Sequence, residues 1–126
     1  MAFENLEIYR YELLTGKQSW ADARAMCQKS GGDLASVNNM QDYERALQDL
    51  SGAEWMWMGL SDKENEGIWL WSDGNDGQWR NWDETHPNGR GFKNCAAIKR
   101  ADKKWHSLPC TDSNFASGLC MYASGW

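Results

Sequence analysis

Histidine is scarce in this chain. His86 and His106 are the only two in 126 residues, and each stands beside further donor atoms, in His86-Pro87-Asn88 and His106-Ser107. Imidazole nitrogen shifts metal preference from calcium toward zinc or copper. Zinc held by two or three protein ligands keeps a position open for an oxygen from elsewhere. Asp62, Glu66 and Ser107 could join the two imidazoles as acid, base and nucleophile. The chain carries no GxSxG, HExxH or phosphate-loop motif, so binding is expected here and an enzyme is not.

Four cysteines, Cys27, Cys95, Cys110 and Cys120, form no CxxC pair, which argues against a zinc ribbon or a thioredoxin-type centre. An even count in a small domain rich in Trp and Gly suggests two disulfides and an oxidising compartment. Sequence alone permits three pairings, and four buried thiols in a cytosolic protein is the alternative. The formal net charge of −5 gives no bulk attraction for nucleic acid or an anionic membrane. The one basic cluster, Lys99, Arg100, Lys103 and Lys104, reads as a solvated loop. No apolar run reaches the 18 residues of a membrane-spanning helix. Residues 1–10 lack the apolar stretch of a secretory signal, so a secreted protein would be present here in its mature form.

These residues need elements to position them. Residues 1–15 are rich in aromatic and β-branched types and predict a strand. Ser19 reads as a helix N-cap with Asp22 three residues on, Trp20, Ala23 and Cys27 share a helical face, and Gly31-Gly32 stops the helix. Leu34, Ala35 and Val37 make a short buried segment. Asn39 starts a second helix with Tyr43, Leu47 and Leu50 as its apolar stripe and Gly52 as its end. Strands are expected near 55–60, 68–71, 95–98, 104–107 and 118–122. Residues 73–94 hold few aliphatics and form a long polar loop, which in a compact domain is often functional. The order predicts one α+β domain over 1–126 with antiparallel sheets.

The same residues resemble the C-type lectin-like domain family. Trp20-Ala21-Asp22-Ala23-Arg24-Ala25-Met26-Cys27 is similar to its first helix, and Gly31-Gly32-Asp33-Leu34-Ala35-Ser36-Val37 to the segment that ends it. Trp57-Met58-Gly59-Leu60 is similar to its central strand, Trp69-Leu70-Trp71-Ser72-Asp73-Gly74 to the next strand and turn, and Trp79-Arg80-Asn81-Trp82 to the entry of its binding loop. The resemblance covers nearly the whole chain. It implies the short form of the fold, two helices flanking small sheets, with Cys27 paired to Cys120 and Cys95 to Cys110. It also implies secretion and the binding of glycans on foreign or self surfaces. Such sites are individually weak, so several copies help, and a homodimer is a reasonable expectation.

Sugar-binding members of that family hold a calcium ion in the long loop. The resemblance places its ligand positions here at His86-Pro87-Asn88, at Lys93 and at His106-Ser107. None of these is a carboxylate, and calcium is hard and prefers oxygen, so calcium is not expected at this place. Asp62 and Glu66 match two acids of a second calcium site, whose remaining acids are replaced at Gly89, Lys93 and Asn94; pairing with Lys93 or exposure to solvent is expected of both. Three readings of the loop stay open. It is a metal-free domain that binds a protein partner. It binds sugar without metal through Trp79, Trp82, Asn88 and Lys93. Or zinc stands on His86 and His106, helped by Asn88 or Ser107. Carbohydrate is favoured, with Asn88 resembling the mannose-type tripeptide. Trp79, Trp82 and Trp105 are read as packing residues before sugar platforms.

Overall fold

The computed structural model describes residues 9–48, 52–88 and 91–123. Strand β1 (Tyr9–Leu13) leads into helix α1 (Trp20–Lys29), strand β2 (Asp33–Leu34) and helix α2 (Met40–Leu47). Strands β3 (Trp55–Ser61), β4 (Leu70–Trp71), β5 (Cys95–Lys99), β6 (Lys104–Leu108) and β7 (Ser117–Ala123) follow. Both helix starts are set by local chemistry. Ser19 Oγ accepts from the Asp22 N–H at 3.2 Å and Asn39 Oδ1 from the Asp42 N–H at 2.8 Å, and each cap contributes about 1 kcal/mol. Helix α1 closes where Gly31 takes φ +97°, with Gly32 N–H returning to the Cys27 carbonyl, a left-handed step that glycine makes without a Cβ penalty. Helix α2 ends at Leu47, with Gln48 already extended, so it is shorter than a stop at Gly52 would make it. Leu50 lies outside the described residues.

The sheet runs β1-β7-β3-β5-β6, with β2 beside β7 and β4 beside β3. All pairs are antiparallel except β3 with β7, where Met56 and Trp57 face Ser117 and Gly118 in parallel. The expectation of purely antiparallel sheets therefore misses one pair. Strand alternation divides the core into two layers. Met56, Met58 and Leu60 of β3 and Ile98 of β5 face the α2 side, with Tyr43, Trp71, Trp105 and Leu119. Trp57, Cys95, Ala97, Cys120 and Tyr122 face the α1 side, with Trp20, Ala23 and Leu34. Gly59 is needed where these layers meet, because a Cβ there would stand 2.6 Å from Ser72 Oγ.

Both disulfides form as the resemblance implied. Cys27–Cys120 ties α1 to β7 across 93 residues, and Cys95–Cys110 closes a span of 15 beside the loop. On the chain-entropy account the shorter span contributes about 3 kcal/mol and the longer somewhat more. The long loop is held by its own donors. Arg80 reaches the carbonyls of Gly77, Trp79 and Trp69, each at 3.0 Å, and Trp71 Nε1 donates to Gly77 at 3.2 Å.

Candidate functional site

Strand β6 ends the sheet order, so one row of its backbone groups has no strand partner. The loop supplies one. Trp105 N–H donates to the Asn81 carbonyl and Asp83 N–H to the Trp105 carbonyl, both at 2.9 Å. Ser107 N–H donates to His86 Nδ1 at 2.9 Å. Ser107 Oγ accepts from Asn88 N–H at 2.9 Å and donates to the Asn88 carbonyl at 3.1 Å. The His86–Pro87 peptide within this stretch is cis.

His86 is thus a cap on a sheet edge. Because Nδ1 receives a backbone donor, the neutral ring carries its proton on Nε2, an assignment made from its partners. Burial holds the His86 pKa below the ordinary imidazole value; the neighbouring His106 and Lys93 charges push the same way, and Asp83 and Asp102 oppose them. His106 is fixed from the other side. Its Nε2 lies 3.0 Å from Asp102 Oδ2, and Trp55 packs edge-on against the ring at 5.0 Å between centroids. A carboxylate at Nε2 leaves the lone pair of the neutral ring on Nδ1. The two imidazoles meet at 4.7 Å between centroids.

Asp83 completes the cluster. Its Oδ1 accepts from Thr85 Oγ1 at 2.7 Å and from Thr85 N–H at 3.0 Å. These bonds hold its carboxyl below the usual range, and the two histidines add to the effect. One donor atom each from Asp83, His86 and His106 lies within 4.8 Å of the other two. The sequence reading paired the histidines but missed both aspartates. The signal was present: Asp83 precedes His86 by three residues and Asp102 precedes His106 by four.

The remaining candidates separate. Asn88 is exposed and its amide donates to the Thr85 carbonyl at 2.9 Å. Ser107 is fully buried, and its hydroxyl is held between the Asn88 N–H and carbonyl, a poor setting for a nucleophile. No cysteine is free. Lys93 stands near enough for its charge to reach His86. Trp79 packs edge-on against Trp105 at 5.5 Å and tilted against Tyr43 at 5.8 Å, and Trp82 packs edge-on against Trp69 at 4.8 Å. Both belong to the packing of the loop onto the core.

Calcium takes six to eight oxygens, and these positions offer few: two imidazoles, an ammonium and a hydroxyl already spent stand beside the Asn88 amide oxygen and the Asp83 carboxylate. Asp62 and Glu66 do not pair with Lys93 among the described ion pairs. Glu66 is exposed as expected and Asp62 buried against expectation, and the two acids share the Asn94 amide. Oriented by its partners, its nitrogen donates to Asp62 Oδ1 at 3.0 Å and Glu66 Oε1 at 3.2 Å. Gly67 N–H donates to Asp62 and Gly91 N–H to Glu66. Burial pushes the Asp62 carboxyl upward, and the Glu66 charge adds to that.

Residues 16–121 match the family described as the lectin C-type domain. Human C-type mannose receptor 2 is 29% identical over 106 residues, covering 82% of this chain but 7% of the receptor. The type-2 ice-structuring protein of Hemitripterus americanus is 35% identical over 101 residues, covering 79% of this chain and 61% of that protein. The solved carbohydrate-recognition domain of the mouse scavenger receptor C-type lectin superposes with a TM-score of 0.82 at 25% identity, over 96% of this chain and 95% of that one. This chain therefore spans a small part of the receptor it matches and nearly all of an isolated recognition domain. With its two helices, mixed sheet and two disulfides, the chain belongs to the lectin C-type domain family.

Proposed function

We propose that this domain binds carbohydrate at the loop, with side chains meeting the sugar hydroxyls directly where relatives would place calcium. The convergence of Asp83, His86 and His106 carries this function. A sugar hydroxyl both donates and accepts, so adjacent hydroxyls need a mixed set of partners. The His86 Nε2–H is a donor, the Asp83 carboxylate and His106 Nδ1 are acceptors, and Asn88 and Lys93 stand at the rim. Each ring is held by a second bond, at Ser107 and Asp102, so little ordering is left to the ligand. The setting proposed is extracellular recognition of microbial or self glycans, mannose-type sugars first, by a module without catalysis.

A second function is favoured by the Asp102–His106 contact. A carboxylate behind one imidazole nitrogen is how zinc ligands are oriented. Asp83, His86 and His106 would then make a three-ligand centre with its fourth position open to a hydroxyl. For His86 this has a cost. Its proton would have to move to Nδ1, which already faces the Ser107 N–H, so the bond that caps the β6 edge would be lost. The metal-free site needs no such change.

Calorimetry on chelator-stripped protein separates the two. Mannose, galactose and N-acetylglucosamine are each titrated in chelator, then with zinc, then with calcium. Heat in chelator that vanishes in Asp83→Ala and His106→Ala is the expected result. Heat only with zinc would replace it with the metal-bridged site. No heat in any condition would overturn carbohydrate binding and direct the search to a protein partner, or to ice by thermal hysteresis.

A further inference from the structure

A groove of about 800 Å³ runs between α2 and the turn joining β5 to β6. That volume is in the range of sites that hold small molecules. Tyr43 and Leu47 of α2 line one side, and Lys103 and Lys104 the other, with Arg45 at the margin. A smaller depression of about 190 Å³ adjoins it, sharing Leu47 and Lys103 and adding Arg100. Four basic residues thus line one continuous furrow on a chain whose net charge is −5. The sequence reading treated three of them as part of a solvated loop; the fold gathers them beside a cavity.

Three cations, Arg45, Lys103 and Lys104, line the groove against two acids, Glu44 and Asp102, and Arg100 in the adjoining depression adds a fourth, so the balance is positive. Asp102 is committed on both oxygens, to the Lys104 N–H at 2.8 Å and to His106 Nε2 at 3.0 Å. Among the described residues neither the Lys103 nor the Lys104 ammonium has a carboxylate within 4.0 Å. Arg45 has Asp42 only at 4.0 Å. Lys103 is also the one described non-glycine residue at positive φ, +58°. That turn directs its carbonyl inward, where it accepts from Tyr43 Oη and from Asn81 Nδ2. A lysine held in a conformation that glycine would adopt more easily marks a place where strain is retained.

The groove is contiguous with the loop site. Asp102 forms part of its wall and bonds His106 directly, and Asn81 joins the wall to the segment carrying Asp83. We infer that the groove is a second subsite that takes the sulfate or carboxylate of an acidic saccharide, next to a sugar residue seated at Asp83, His86 and His106. The position of the subsite rests on that loop reading; its charge preference stands on the groove alone.

The test measures binding of a sulfated tetrasaccharide, its desulfated counterpart and an acidic peptide of equal charge, at low and at about 0.5 M salt, where screening lengths shrink to a few ångströms. The sulfated sugar should bind about tenfold more tightly than its counterpart at low salt and lose that margin at high salt. Lys104→Glu should remove the preference, and Lys103→Gly should reduce it about threefold, as expected of exposed charge contacts. Thermal melts of both variants confirm folding. Equal binding of sulfated and desulfated sugar would overturn the subsite while leaving the loop site standing. Binding of sulfated sugar unaltered in Asp83→Ala would retain the groove and sink its link to the loop. Tighter binding of the acidic peptide than of the sulfated sugar would overturn the saccharide assignment, and inorganic sulfate competing fully would show an anion site without sugar recognition.

Discussion

The α1 side of the sheet and the loop side are built from different materials. On the α1 side, Ala23, Cys27, Leu34, Trp57 and Cys120 are fully buried, and a disulfide joins helix to strand. Its polar groups are few and paired across long sequence distances, as when Trp20 Nε1 meets the Met58 carbonyl and Trp57 Nε1 the Gln18 carbonyl. On the loop side, Asp83, His86, Asn88 and Ser107 are held by hydrogen bonds between side chain and backbone around one sheet edge. Apolar burial is non-directional and tolerant, whereas hydrogen bonds fix particular atoms in particular places. The first region can therefore hold a fold while the second changes its chemistry.

That contrast breaks most visibly at the disulfides. Replacing Cys27 and Cys120 together by Ala should cost about 4 kcal/mol of stability, read as a lowered melting temperature with sugar affinity unchanged in whatever protein stays folded. Leu34→Ala should cost about 3 kcal/mol through transfer and cavity terms, again without a change in affinity. Loss of sugar binding in folded Leu34→Ala protein would show that the two regions are coupled.

On the loop side the balance should reverse. Asp83→Ala should leave the stability within about 0.5 kcal/mol of the parent and abolish measurable sugar binding. A pH series in chelator sharpens the point. The folded chain holds the His86 pKa below its unfolded value near 6.5, so the unfolded state takes up a proton first. Stability should be level above pH 7 and decline as pH falls through the unfolded value, until the folded ring is protonated as well. Protonation would also set an Nδ1 donor against the Ser107 N–H. A flat profile in the parent, or the same decline in His86→Gln, would remove His86 from the account. The smallest expected effect is a gain: Lys103→Gly relieves a left-handed residue and should stabilise by about 1 kcal/mol.

By itself the sequence determined the frame. The Ser19 and Asn39 caps, the Gly31-Gly32 stop, the four cysteines and the aromatic strands act through neighbours a few residues apart, so their chemistry can be read in order along the chain. The site was legible only in its histidines. Local spacing could not show that Asp83, twenty-three residues before His106, lies beside it, or that the His86 lone pair is taken by a backbone N–H. Nor could it show that Lys103 and Lys104 face a cavity. Those facts follow from the loop folding back along the open edge of β6, where long-range pairing of backbone groups, and not local propensity, decides which side chains meet.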